Sequence, residues 1–379
     1  MKQLVFNPAT AVVIGASGQD GYFLTERLLD EGWSVHATVR QPEALAVLAE
    51  SEKTCGRLHI HQGELTDPQN IFDLIAHERP EEIYNLAGQS SVSQSFGDPL
   101  LSWRTNADFV ALLLECVRLA SPHSRLYQAS STDMFGSGTD GAALVCNEAS
   151  VLNPQSPYAG AKAAAHLLCC SYRRDYDLRI ACGILSNHES HRRRGNFLTR
   201  KIADHVFGLR RLKPCDQELL PPLRMGNLKI RRDWGFAPDY VDGMRLVLRQ
   251  IEVRNARTAQ SVGATNKKPS VADEGSEYRD YVLATGSTHS VWELVDTAFR
   301  LVEFDLEWKL YGDDPTLWQG YFRSNGRLAV ETDPALLRPA DPIIIQVDAA
   351  RARQDLGWSP REGLEIFLTD MLSQMAAIA

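Results

Sequence analysis

This sequence of 379 residues is short of several things, and each shortage removes a class of function. It has no excess of positive charge: 40 Lys and Arg face 48 Asp and Glu, for a formal net charge of −8. No overall basic field draws a nucleic-acid backbone toward it, so a polynucleotide partner is not expected. It contains no apolar run near the ~20 residues that cross a bilayer, so no membrane partner is expected either. The seven cysteines show no CxxC spacing, and the adjacent pair Cys169 and Cys170 lies in an apolar helical stretch. They read as reduced, buried thiols, not as disulfides or metal ligands, and no metal is expected. Near the start, Pro8 interrupts a short apolar stretch that leads into a glycine turn and not a cleavage site. The expectation is a cytoplasmic protein without a signal peptide.

What is present is the composition of a globular enzyme, 44% hydrophobic and 23% charged, on a chain long enough for about two domains. From residue 11 to about 185, short apolar runs alternate with helical patterns. Strands are expected at Ala11–Ile14, Ser34–Val39, Leu58–Gln62, Glu82–Leu86, Arg125–Ala129 and Arg179–Ile184, and helices begin near Asp20, Pro68, Leu101 and Tyr158. Alternation of this kind is the mark of an α/β, doubly wound parallel sheet (Rossmann), here with a smaller C-terminal α/β substrate domain. The dinucleotide-binding domain is expected over 1–185 plus about 232–252 and 281–300. The substrate domain takes about 186–231 and 301–379, and polar, aperiodic 253–280 reads as a flexible surface insertion.

Gly15, Ala16, Ser17, Gly18, Gln19, Asp20 and Gly21 follow the first strand and open the first helix. Glycines there let the backbone turn tightly and approach a pyrophosphate, while the helix N-terminus offers N–H groups to its charge. The second strand ends at Arg40, where an acidic residue would bind a ribose 2′-hydroxyl; an arginine suits a 2′-phosphate, which points to NADP. Tyr158 and Lys162 lie four residues apart on one helix face, so the ammonium is expected to lower the phenol's pKa and fit it for proton exchange with a sugar hydroxyl. Ser130, Ser131, Thr132 and Asp133, at the end of a strand, are placed to reach the same crevice.

With these motifs together, the chain resembles the extended short-chain dehydrogenase/reductases. Within them it resembles the GDP-mannose 4,6-dehydratases, on Gly18-Gln19-Asp20-Gly21, Asn85-Leu86-Ala87, Tyr127-Gln128-Ala129-Ser130, Ser156-Pro157-Tyr158-Ala159, Asn187-His188-Glu189-Ser190, the run 197–202 and the run 226–241 with its RRDWG block. The resemblance spans about residues 11 to 375. It implies cofactor contacts at Gly15, Ala16, Ser17, Gly18, Gln19, Asp20, Arg40, Glu64, Leu65, Leu86, Ala87, Gly88, Gln89, Ser90, Lys162, His188 and Arg193. It implies catalytic roles for Ser131, Asp133, Tyr158 and Lys162, and a nucleotide-sugar pocket lined from Asn187, Lys201, Arg232 and Arg338. It further implies a lyase acting on a GDP-sugar with NADP, in a homodimer or homotetramer, with the Arg192–Arg194 loop reaching toward a neighbouring subunit.

The chain departs from that family where Ser131-Thr132-Asp133 replaces Thr-Ser-Glu, which shortens the acid by one methylene and removes a methyl from the hydroxyl. Glu64, Ser91, Leu101 and Arg194 depart as well. Two other readings keep the same fold: a 4-keto-sugar reductase or epimerase, which needs Tyr158 and Lys162 but no elimination acid, and a non-catalytic nucleotide-binding protein.

Overall fold

A computed structural model of the chain describes residues 8–51, 54, 56–64, 67–137, 145–195, 197–213, 220–262, 279–312, 314, 317–337 and 342–378. Its principal strands are β1 (Thr10–Ile14), β2 (Ser34–Val39), β3 (Leu58–Gln62), β4 (Glu82–Asn85), β5 (Arg125–Ser131), β6 (Ile180–Leu185), β7 (Asn187–Glu189), β8 (Leu223–Met225), β9 (Trp234–Phe236), β10 (Tyr281–Leu283), β11 (Leu306–Lys309), β12 (Gln319–Phe322) and β13 (Leu328–Thr332). The principal helices are α1 (Gln19–Asp30), α2 (Pro68–Glu78), α3 (Phe109–Ala120), α4 (Pro157–Asp175), α5 (Leu198–Arg211), α6 (Ala237–Val262), α7 (Val291–Leu301) and α8 (Leu364–Ile378).

Seven strands form one parallel sheet in the order β10-β6-β5-β4-β1-β2-β3. Both faces are covered, which is why β1 and β6 are apolar runs and not alternating patterns. Ala11, Val13, Val35 and Ala37 pack with Leu24 and Leu28 of α1 and with Met244 and Leu248 of α6. Val12, Ile14, Ile83 and Leu126 pack on the other face with Ile71 and Ile75 of α2 and with Phe109, Leu113 and Val117 of α3. Order runs outward from β1 through β2 to β3, then returns to the other side of β1 at β4. The carboxyl end of β1 is therefore the topological switch point, where such sheets bind ligands.

The sequence locates six of the seven strands and omits β10, whose three residues Tyr281–Leu283 lie beyond the polar stretch. The domain expectation is also redrawn. Helix α7, expected with the dinucleotide domain, turns Val291, Leu294, Val295, Ala298 and Phe299 into a second core with Ile202, Val206, Phe322, Val330, Phe367 and Met371. Conversely Ala352 and Trp358, expected with the substrate domain, pack beneath the large sheet. The second core is covered by a four-stranded sheet, β11-β12-β13-β8. Residues 253–262, read as insertion, continue α6 as helix; residues 263–278 lie outside the described residues. At the far end of that stretch Asp280 is fixed by both guanidinium nitrogens of Arg173, at 2.8 and 2.7 Å.

At the edge of the sheet three imidazoles stack across β2 and β3, because His36 is in register with His59 and Thr38 with His61. His36 Nδ1 lies 3.0 Å from His61 Nε2, the ring of His59 is 4.6 Å from that of His36, and Glu78 Oε2 is 3.4 Å from His36 Nε2. Burial outweighs the Glu78 carboxylate and, with the neighbouring imidazoles, lowers the His36 pKa to about 4. Between about pH 4 and the unfolded value of about 6.5 the unfolded chain binds the extra proton, so stability present above pH 6.5 is lost as pH falls toward 4. The slope contributed is at most about 1.4 kcal/mol per pH unit. Urea midpoints at pH 7 and pH 5 should therefore fall more for the wild-type protein than for His36→Gln; equal falls would remove His36 as the cause.

Candidate active site

The site is built where β1 and β4 end. Gly15 leaves β1 at φ +85°, and a Cβ there would stand 2.9 Å from the Ala87 backbone. Gly18 N–H donates to Gly15 O at 3.0 Å, and a Cβ at Gly21 would lie 2.3 Å from the same oxygen. The turn therefore closes only with glycine at these positions. Gly18 occupies the N-cap of α1 without any side chain accepting from the first turn. The leading N–H groups of α1 are thus left to an anion, which fits a dinucleotide pyrophosphate.

The companion loop Leu86–Ser90 leaves β4 under a side chain that the sequence did not single out. Asn106 lies in a π-helical turn, Arg104–Asp108, and donates to Gln89 O at 2.9 Å and Ser102 O at 3.0 Å. Its Oδ1 is 2.4 Å from where a Gly88 Cβ would stand, at φ +150°. A π-turn inside an otherwise regular helix was the available signal, and periodicity does not reveal one. Arg40 is exposed at the end of β2 and Glu64 is exposed after β3; Leu65 lies outside the described residues.

The residues expected to be catalytic meet at the end of β5. Ser131 caps the short turn Thr132–Phe135, accepting from Asp133 N–H at 3.2 Å and donating to Asp133 Oδ2 at 3.3 Å. Helix α4 starts with Ser156 as N-cap, accepting from Ala159 N–H at 3.1 Å, and Pro157 at its first position. That start fixes the buried side chains of Tyr158 and Lys162 on the face turned to β5, and Ser131 stands near enough to the phenol to favour its ionised form. The expected lowering of the phenol pKa by Lys162 is corrected. Burial, then Asp133, push it above its usual value, and Ser131 and Arg193 recover only part of the shift. The Lys162 ammonium, brought down to about 8 by burial, donates to Ala129 O at 2.9 Å and sits 5.9 Å from the Tyr158 ring centre.

The NHES block folds back onto the glycine loop. Gln19 Nε2 donates to His188 O at 2.9 Å, Ser190 Oγ donates to Gln19 Oε1 at 2.9 Å, and Asp20 Oδ2 lies 2.9 Å from His188 Nε2. Arg193 donates to Glu189 at 2.7 Å and to His188 O, while the Arg192 guanidinium lies 3.3 Å from the Tyr22 ring centre. Both arginines thus engage their own chain. Beneath this block is a network missed in the sequence. Buried Asp233 accepts from Ser186 Oγ, Thr285 N–H and Gly286 N–H at 3.0, 3.0 and 2.6 Å, and Ser186 Oγ is 2.6 Å from Tyr240 OH. The RRDWG block is therefore scaffold: a Cβ on Gly235 would stand 2.2 Å from Tyr240.

Of the pocket residues, exposed Asn187 is in register with Trp234, and Arg232 donates to Arg231 O and Pro342 O, both at 2.8 Å, so it holds backbone. Lys201 is half-buried and donates to Arg224 O. Arg338 lies outside the described residues. Behind α4, the ligand atoms of His166, Cys170 and Asp280 lie within 4.8 Å of one another, but Arg173 already satisfies the carboxylate.

The family model described as GDP-mannose 4,6 dehydratase matches residues 12–273 and 270–371. The GDP-mannose 4,6 dehydratase of Drosophila melanogaster is 33% identical over 374 residues, covering 96% of this chain and 85% of that one. The GDP-mannose 4,6-dehydratase of Sinorhizobium fredii is 33% identical, covering 96% and 95%. Among solved structures, dTDP-glucose 4,6-dehydratase of Bacillus anthracis with NAD superimposes at TM-score 0.69 and 17% identity over 97% of each chain. RMD of Pseudomonas aeruginosa with NADPH does so at 0.66 and 20%, over 98% of this chain and 100% of the other.

The steric argument at the glycine loop is testable on stability. Gly15→Ala places a Cβ in a left-handed conformation against the Ala87 backbone and should cost about 1–3 kcal/mol in urea unfolding. Gly32→Ala is the control for positive φ alone, since nothing lies within 4 Å of its Cβ position; it should cost measurably less.

Proposed function

Because the chain belongs to the GDP-mannose 4,6-dehydratase family, we propose that it is a nucleotide-sugar 4,6-dehydratase converting a GDP-hexose such as GDP-mannose to its 4-keto-6-deoxy form. One observation carries the reading: a carboxylate, Asp133, stands beside Ser131 and Tyr158 at the carboxyl end of β5. Reductases and epimerases need no acid there, whereas elimination across C5 and C6 does.

In this reading Tyr158, in its phenolate form, takes the proton of the sugar 4-hydroxyl while Ser131 holds that oxygen. A nicotinamide held there would supply the acceptor for the C4 hydride and the donor for C6, and the proton taken by Tyr158 would go back to the sugar at C5. The new 4-ketone acidifies the C5 hydrogen, Asp133 removes it as a proton, and the same carboxyl gives a proton to the departing 6-hydroxyl, which leaves as water. Lys162 steadies the end of β5 through Ala129 and sets positive charge beside the phenol.

The cofactor assignment is NADP, supported by the exposed Arg40 guanidinium at the end of β2, and the open first turn of α1 fits the pyrophosphate. The assembly is a homodimer or homotetramer. Its support is a set of exposed apolar side chains on consecutive helices: Leu100, Leu101, Trp103, Leu119 and Leu167. No helix among the described residues is long and apolar enough to cross a membrane, and the place of action is the cytoplasm.

Asp133→Asn should still oxidise C4 and trap reduced cofactor with a 4-keto hexose, while loss of 18 Da from GDP-mannose falls by about 10² to 10⁴. Tyr158→Phe should instead stop the first hydride transfer. Normal water loss by Asp133→Asn would transfer the protein to the reductase or epimerase class. For the cofactor, the wild-type protein should bind NADP+ more tightly than NAD+, and Arg40→Ala should narrow the difference; equal Kd values in the wild type would remove the NADP assignment.

A further inference from the structure

His188 does not point at an open crevice; both its ring nitrogens are occupied. Nδ1 lies 2.7 Å from Ser186 O, a group that only accepts, and Nε2 lies 2.9 Å from Asp20 Oδ2. Asp20 is pulled upward by burial, yet the charge and hydrogen bond of His188, with Arg193 and Gln19 behind them, hold its pKa at about 2. At any physiological pH it too only accepts. A neutral imidazole has one N–H and would leave one of these short contacts as oxygen against a nitrogen lone pair. Only the imidazolium satisfies both. Its ring stacks on Tyr240 at 4.6 Å and 16°, an arrangement that favours a cation.

We infer that His188 is a buried imidazolium at neutral pH and serves as a positioning residue, clamping the first turn of α1 to β7 so that the glycine loop is held open for the dinucleotide phosphates. The inference rests on the reading of that loop as the dinucleotide site. Three contacts from β7 and the residue after it converge on two successive residues of α1: the ring of His188 on Asp20, and the carbonyl of His188 and the hydroxyl of Ser190 on Gln19. The charged and titratable groups around the ring are Asp20 on α1, Arg193 beyond β7, and Tyr240 on α6 with Asp233 behind it. Lys162, Tyr158 and Tyr127 lie on the far side of Asp20 and sense its charge. Burial lowers the imidazole's proton affinity, but Asp20 overcomes it and the net direction is upward. The clamp is therefore complete below the imidazole's pKa in the fold and released as pH rises through it.

The test uses the full-length protein and NADP+ alone, with no sugar substrate, so it stands or falls apart from the dehydratase reading. In histidine-¹⁵N-labelled protein, the His188 signals, assigned by their loss in His188→Gln, should show both ring nitrogens protonated at pH 7. NADP+ Kd should rise about tenfold per pH unit above the midpoint of that titration. Asp20→Asn should move the His188 midpoint down by about one pH unit or more, and carry the rise in Kd with it. Titration of Lys162 could also weaken binding at alkaline pH, but it would not follow the His188 midpoint in Asp20→Asn. A singly protonated His188 at pH 7 overturns the inference. So does a Kd profile that stays in place when the His188 midpoint moves.

Discussion

Two backbone segments that leave neighbouring strands touch at the carboxyl edge of the sheet, and the rest of the site is arranged around that contact. A Cβ on Gly15 would stand 2.9 Å from Ala87, so the turn after β1 and the loop after β4 can approach only because one of them has no side chain. This contact sets the start of α1, and with it the direction of the free N–H groups. Asn106 presses from behind on Gly88, and β5 delivers Ser131 beside the same edge. The site is thus a seam between parallel strands at the place where their order reverses.

Buried charges tie the flanking layers to that seam. Under the sheet, Glu82 accepts from Arg125 at 3.0 Å and from Arg245, and Arg245 also reaches Glu31 at 2.7 Å. One arginine of α6 thereby joins the end of α1 to the start of β4. At the opposite end of α4, Arg173 and Asp280 fasten β10 to the helix that carries Tyr158 and Lys162. Breaking such pairs on one side strands a charge in a low dielectric, which is costlier than the pair is stabilising. These clusters therefore resist small rearrangements of α4 and α6 relative to the sheet. His188 and Asp20 extend the same logic to the site itself.

Much of this was legible in order along the chain. Six strands of the large sheet, the glycine loop, and the spacing of Tyr158 and Lys162 are local patterns, because short strand-like segments alternate with segments whose apolar residues repeat every three to four positions. The direction of the Tyr158 pKa shift was not legible, since sequence spacing reports that two side chains share a face but not how deeply they are buried or which carbonyl takes the ammonium. The packing partners of α7 and Trp358 were out of reach for a related reason. Helix α7 and Trp358 are both apolar segments, and nothing local states which of two cores will receive them.

The sequence by itself determined the strand and helix periods, the turns that only glycine can make and the residue types that proton transfer and elimination require, because each depends on neighbours a few positions away. Tertiary structure decided the rest. It set Asp20 against His188 across 168 positions, Gln19 against Ser190 across 171, and Asp233 beneath Ser186 across 47. Hydrogen bonds between such distant residues are fixed by the packing of whole elements. Burial, which moves the pKa values of Tyr158, Lys162 and His188, is a property of the assembled core that no short stretch of chain possesses.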